Sequence, residues 1–190
     1  MKKIFLSAND LLRDSYQLAL KVLASDFSPN FVVGVWRGGA PIAIAMQELF
    51  DLYGLVTDHG AIKTSSYDGM QQQREVVVSG LANVLDHVSD ETQLLIVDDV
   101  FDTGKSIAAI LKELESHAGA GLISRTKIAT LYYKPTQNTT NLEPDFIVHK
   151  TSDWLVFPHE LKGLNPQELA SEKGIDLPDH IGGYSLGNEI

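Results

Sequence analysis

One stretch limits what this chain can become. Leu94-Leu95-Ile96-Val97 is an apolar run that ends on two adjacent carboxylates, Asp98 and Asp99. Such a run suits a strand buried on both faces, as in a parallel sheet. Val100 and Phe101 follow, then a third acid, Asp102, then Thr103-Gly104-Lys105-Ser106. Beyond these, Ile107, Ile110, Leu111 and Leu114 recur at helical spacing. A strand that ends in acids and turns through small residues into a helix makes a ligand site. Backbone N–H groups of 103–106 would face outward at the helix start, where a phosphate binds well. The neighbouring acids suit hydroxyls, a metal ion or a proton. A plain buried strand with a polar helix cap would explain one acid, but not three around a glycine turn.

Several known phosphate motifs do not fit. Gly104-Lys105-Ser106 has the tail of a Walker A loop, but Asp99 stands where its first glycine belongs. That disfavours a kinase-like nucleotide enzyme. No Gly-x-Gly-x-x-Gly follows an apolar run, so a dinucleotide fold is not indicated. An aspartyl-phosphate phosphatase wants acids two apart at the strand end, which Asp98-Asp99-Val100 does not supply.

Further strand, loop and helix units surround this stretch. Ser7 and Asp10 form a capping pair for a helix over about residues 8–25. Its expected buried face is Leu11, Leu12, Tyr16, Ala19, Leu20 and Leu23. Phe31–Trp36 reads as a buried strand, and Arg37-Gly38-Gly39 as the loop into a helix over Ile42–Leu52, with Pro41 in its first turn. Glycines there let the backbone approach a ligand, and Arg37 suits a pyrophosphate. Ala61–Tyr67 and Val76–Val78 frame the polar stretch Asp68–Glu75, the pattern of a long hairpin with a mobile tip. Lys127–Tyr133 is a strand that ends at Lys134-Pro135. A lysine at that end of a strand points to the ligand edge of an α/β fold. Phe146–Val148 is a short strand, and Trp154 is either core or a platform for a planar base. Asn165-Pro166-Gln167-Glu168 caps a helix that ends near Gly174, and the residues beyond read as irregular. His59, His87, His117, His149, His159 and His180 lack metal-ligand spacing and read as structural or solvated.

This alternation argues for an α/β fold with a mostly parallel central sheet flanked by helices. A single domain over 1–190 is expected, with its core at about 28–150. A small subdomain would come from the N-terminal residues and about 151–190. The net charge of −10 argues against a nucleic-acid surface. It also means a polyanionic ligand needs local cations, N–H groups or Mg²⁺. The chain has no cysteine, which excludes disulfides and thiolate metal sites and fits a cytoplasmic setting. Ile4-Phe5-Leu6 is too short for a signal peptide. No run approaches the ~20 apolar residues of an integral membrane segment.

Four apolar residues, two acids, two apolar residues and Asp-Thr-Gly-x-[Ser/Thr] resemble the signature of type I phosphoribosyltransferases, which bind 5-phosphoribosyl-1-pyrophosphate (PRPP). Arg37-Gly38-Gly39, Ser65-Ser66-Tyr67-Asp68, Gln73-Arg74-Glu75, Lys134-Pro135 and Trp154 fall in the order found in bacterial xanthine–guanine and related hypoxanthine phosphoribosyltransferases. The likeness runs from Val32 to about Glu160, and the tail beyond Leu161 departs from it.

The resemblance implies that family's fold with a small hood subdomain. It also implies transfer of the 5-phosphoribosyl group to a 6-oxopurine in purine salvage. Asp98 and Asp99 would hold the ribose hydroxyls, with Asp99 also at Mg²⁺. Thr103, Gly104, Lys105 and Ser106 would cradle the 5-phosphate, and Arg37, Gly38 and Arg74 the pyrophosphate. Asp102 would be the general base at N7. Lys134 would donate to the C6 oxo group, Trp154 would stack on the base, and the Leu155 carbonyl would face its C2 edge. A flexible loop carrying Ser65, Ser66 and Tyr67 would close over the reacting ribose. Xanthine, guanine and hypoxanthine stay open as substrates. A homodimer or homotetramer is implied. The alternative is a non-catalytic sensor of PRPP or a nucleotide on the same fold, but no basic helix-turn-helix or spare output domain is seen.

Overall fold

The apolar run Leu94–Val97 lies inside the sheet of the larger unit, with all four residues at 0% exposure. The computed structural model describes residues 3–68, 74–176, 178, 180–181 and 184–185. Along the chain run β1 (Lys3–Phe5), α1 (Ala8–Leu23), β2 (Phe31–Trp36), α2 (Gly39–Leu52), β3 (Asp58–Asp68), β4 (Arg74–Ser79) and α3 (Leu81–Leu85). Then come β5 (Leu94–Phe101), α4 (Lys105–Ser124), β6 (Thr126–Tyr133), β7 (Phe146–Lys150), β8 (Trp154–Val156), α5 (Pro166–Lys173), β9 (His180–Ile181) and β10 (Tyr184–Ser185). They form two units, Leu12–Ser152 and Met1–Leu11 with Asp153–Ile190.

In the larger unit the strands lie in the order β4-β3-β2-β5-β6-β7. All neighbours are parallel except β4, which returns antiparallel to β3. Leu94 and Ile96 join a core cluster with Leu81 and Val84 of α3 and Ile107, Ile110 and Leu114 of α4. Helix α2 lies against β2 and β5. A strand between two parallel neighbours with helical cover has no polar side, which explains its unbroken apolar run. Because β2, β5 and β6 are parallel, their C-terminal ends share one sheet edge. Arg37 follows β2 there, Asp98 and Asp99 lie near the end of β5 with Asp102 just past it, and Lys134 follows β6. This is the edge at which open α/β sheets bind ligands.

In the smaller unit β1 pairs parallel with β8, Ile4 opposite Leu155. Phe5 packs against Val156, Leu164 and Leu169. The expected cap of α5 forms as a full capping box: Asn165 Oδ1 accepts from Glu168 N at 2.9 Å, and Glu168 Oε2 accepts from Asn165 N at 3.0 Å. The Lys3 ammonium, 2.8 Å from Glu168, holds that carboxyl below its usual range. The residues read as irregular include a short antiparallel pairing of β9 with β10.

Two expectations need correcting. The Ser7–Asp10 cap of α1 is present, the hydroxyl 2.6 Å from Asp10 Oδ2, but the helix buries a different face. Leu11, Asp14, Ser15, Leu18, Ala19 and Val22 are buried, whereas Leu12, Tyr16 and Leu20 are exposed by 41–46%. The cause is Asp14. Its Oδ2 lies 2.8 Å from Nε2 of His149 on β7, so a carboxylate sits on the buried stripe, where pattern reading counts it as solvent-facing. Ser65, Ser66 and Tyr67, assigned to a flexible loop, instead belong to strand β3, opposite Val77, Val76 and Glu75 of β4. The tip between these strands, residues 69–73, lies outside the described residues.

The corrected face of α1 gives a direct expectation. Leu18→Ala should lower the unfolding free energy by about 2–5 kcal/mol. Leu20→Ala should change it by less than about 0.5 kcal/mol. Urea denaturation midpoints measure both, and a Leu18 variant as mild as the Leu20 variant would refute the assignment.

Candidate active site

The end of β5 crowds two carboxylates together. Asp99 N donates to Asp98 Oδ1 at 2.9 Å, and Val100 N donates to Asp99 Oδ1 at 2.8 Å. Burial, and then the neighbouring Asp99 charge, hold the Asp98 carboxyl well above the usual carboxylate range. The Arg37-Gly38-Gly39 loop presses onto this corner. A Cβ on Gly38 would overlap the Asp99 carboxylate, and one on Gly39 would overlap the Val97 carbonyl oxygen. Gly38 has φ −65° and ψ −35°, angles that any residue adopts, so lack of space demands glycine there. The Trp36–Arg37 peptide is cis, and the Arg37 side chain is exposed.

Past Asp102 the chain turns through Gly104 at φ +77°, the left-handed region that favours glycine. Gly104 brings no capping side chain to α4, and Thr103 Oγ1 meets only the N–H of its first residue, Lys105, at 3.5 Å. Beside this helix start opens a cleft of about 280 Å³, counting its mouth, lined by Asp98, Val100, Asp102, Thr103 and Ser106 among others. Uncapped N–H groups at a helix start, with the positive end of the helix dipole behind them, suit an anion such as phosphate.

Lys134 is buried at 8% exposure, not solvated. Its main-chain N donates to Phe101 O at 2.9 Å and prolongs the β5–β6 pairing. Its Nζ lies 3.2 Å from Asp102 Oδ2. The loop after it braces the acidic turn: Thr139 N and Oγ1 both donate to the Thr103 carbonyl at 3.1 Å. Asn138 Oδ1 accepts from Thr140 N and Oγ1, while its Nδ2 donates to Leu142 O at 2.7 Å. The Gln137 side-chain amide lies against the Asp102 carboxylate, with which it bonds once its nitrogen is assigned to that side. Sequence reading stopped at Lys134-Pro135 and missed this brace. Its signal was the run Asn138-Thr139-Thr140, short polar residues that bond to nearby backbone.

The larger unit therefore gathers Arg37, Gly38, Asp98, Asp99, Asp102, Thr103, Gly104, Lys105, Ser106 and Lys134 at one sheet edge. Trp154 and Leu155 lie in the smaller unit, Trp154 exposed at 53% and Leu155 buried. Arg74 opens β4 opposite Asp68, and its side chain lies outside what is described. Among the described residues, no three His, Cys, Asp or Glu side chains converge as a metal cluster, and no helix is long and apolar enough to cross a membrane.

Residues 3–163 match the family model of the phosphoribosyl transferase domain. A xanthine-guanine phosphoribosyltransferase of Desulfotalea psychrophila is 31% identical over 156 residues, covering 80% of this chain and 83% of that protein. A hypoxanthine-guanine phosphoribosyltransferase of Lactococcus lactis is 28% identical over 148 residues, 77% of this chain and 75% of that protein. The crystal structure of a purine phosphoribosyltransferase from Pyrococcus horikoshii superposes with a TM-score of 0.68 at 27% identity. It covers 87% of this chain and 99% of that one.

The glycine contacts generate a stability test. Gly39→Ala forces a methyl group against main chain and should destabilise the protein by about 1–3 kcal/mol. Gly38→Ala meets a side chain that can swing aside and should cost less. Urea midpoints of the two variants check this order, and a fully stable Gly39→Ala protein would contradict the close approach.

Proposed function

The chain belongs to the phosphoribosyltransferase domain family. On that premise we propose that it transfers the 5-phosphoribosyl group of PRPP to a 6-oxopurine (xanthine, guanine or hypoxanthine). The products are the nucleoside monophosphate and pyrophosphate. The observation that carries this reading is the single edge where an acid pair, an uncapped helix start and a lysine–carboxylate pair meet. A phosphorylated sugar needs the first two, and a 6-oxopurine needs the third.

In the reaction, the bond between the ribose C1 and the pyrophosphate oxygen breaks. A bond forms from C1 to a purine ring nitrogen, and the purine loses one proton. The N–H groups and hydroxyls of Thr103 to Ser106 bind the 5-phosphate. Asp98 and Asp99 accept hydrogen bonds from the ribose hydroxyls. Arg37 and the Gly38 backbone meet the pyrophosphate, where a guanidinium binds strongly through charge-assisted bonds. Asp102 takes the proton that leaves N7.

The donor set fits Mg²⁺. This ion is usually held by one or two carboxylates together with substrate phosphates, and Asp99 beside Asp98 supplies them. Burial raises the Asp98 carboxyl most and the Asp99 charge next, and that second cause is one a divalent cation would offset. Bound there, Mg²⁺ would stabilise charge on the departing pyrophosphate.

Lys134 and Asp102 explain base choice. The C6 oxygen and N7 of an oxopurine lie side by side on one edge, and the 3.2 Å Lys134–Asp102 pair offers a donor beside an acceptor. Adenine presents an amino donor at C6 and would set two donors face to face. A non-catalytic sensor would have no use for Asp102 as a base, which favours catalysis.

Asp102→Asn should lower turnover by roughly 10²–10⁴-fold while PRPP binding by calorimetry persists. Near-normal turnover would remove Asp102 from the role of base. With Mg²⁺ and PRPP, pyrophosphate release should be seen with at least one of guanine, xanthine and hypoxanthine. Adenine should be slower by roughly 10⁴-fold in kcat/KM. Comparable rates with adenine would overturn the role given to Lys134.

A further inference from the structure

Asp102 has two carboxylate oxygens, and a donor can be assigned to each. Oδ2 faces Lys134 Nζ at 3.2 Å. Oδ1 faces the side-chain amide of Gln137, and with the amide nitrogen on that side it reaches Oδ1 at 2.5 Å and Oδ2 at 3.3 Å. The opposite amide orientation would put oxygen against oxygen, so the nitrogen must be the atom that faces the carboxylate. Gln137 is half-buried. Its own N–H donates to Lys134 O at 3.0 Å, and the next residues bond to Lys134 O and Thr103 O. The side chain is thus mounted on a loop anchored at both ends to the acidic turn.

We infer that Gln137 is a positioning residue for the reaction: it holds the Asp102 carboxylate in place while Lys134 turns to the purine. The argument rests on the proposed role of Asp102 as base. A purine oxo group would compete with Asp102 for the Lys134 ammonium. Asp102 would then keep one fixed donor, Gln137, whose neutral amide does not offer a proton to the base. A carboxylate with no such tether rotates about its side-chain bonds and spends less time aimed at N7. Proton transfer depends on that aim.

The test combines Gln137→Leu and Gln137→Glu with Asp102→Asn. Gln137→Leu removes the donor at similar size, and Gln137→Glu replaces it with an acceptor that repels Asp102. Each should lower kcat by roughly 10- to 100-fold, the worth of a hydrogen bond to a charged group. The KM for PRPP should stay within about twofold. Thermal stabilisation by product nucleotide reports that each variant is folded. Added to Asp102→Asn, Gln137→Leu should cost nothing further, because its effect runs through that carboxylate.

Wild-type kcat in Gln137→Glu, or a Gln137→Leu loss that multiplies with the Asp102→Asn loss, overturns the inference alone. Near-normal turnover of Asp102→Asn overturns the underlying reading, and the inference with it.

Discussion

The rest of the structure answers to the two carboxylates set side by side where β5 loses its β2 neighbour and keeps only β6. Charge in such a place is disfavoured, and burial together with the neighbouring Asp99 charge moves the Asp98 carboxyl well above its normal range. The corner therefore holds two acids in a setting that resists their both being charged. Such strain points to function, and the chain's −10 net charge sharpens the point. In a field of that sign an anionic substrate is held by local groups alone, and in the proposed reaction these are Arg37 and the start of α4.

Close packing keeps the strained corner in one arrangement. On one side Gly38 and Gly39 bring the β2 loop against Asp99 and the Val97 carbonyl with no room for a methyl group. On the other, Thr139 clasps the Thr103 carbonyl, and Thr140 and Asn138 crowd Gly104. The two loops come from strands on either side of β5, so parallel order in the sheet is what allows both to reach the same turn. A different strand order would separate them even with every residue retained.

Sequence revealed features whose causes are local or whose pattern is strict. The run Leu94–Val97 betrays a doubly covered strand, and Asn165 with Glu168 betrays a helix start, because each needs only neighbouring residues. The acid–glycine turn was legible for the same reason. Other features depended on partners far along the chain. Asp14 is buried because His149 meets it, so the stripe of α1 was misjudged. β1 is three residues long and exists only through its pairing with β8. Gln137 and Thr139 looked like ordinary loop residues, since their value lies in contacts to Asp102 and Thr103 more than thirty positions earlier.

With Lys134 and Asp102 in the proposed roles, selectivity for the base would follow from an imbalance within the pair. Asp102 is 38% exposed at its side chain, whereas Lys134 is 11% exposed. An ion pair with one partner that wet is worth about 1 kcal/mol or less, so exchanging it costs little for Asp102, which keeps water and Gln137. The lysine is different, because a buried ammonium without an acceptor pays a large desolvation cost. It will leave Asp102 only for another acceptor in the same place. An oxo group at C6 is such an acceptor, and its neighbouring N7 proton gives Asp102 a new partner in the same step. A base with an amino group there satisfies neither residue, so the penalty for the wrong purine comes from the protein's own unpaired charges more than from any contact the purine lacks.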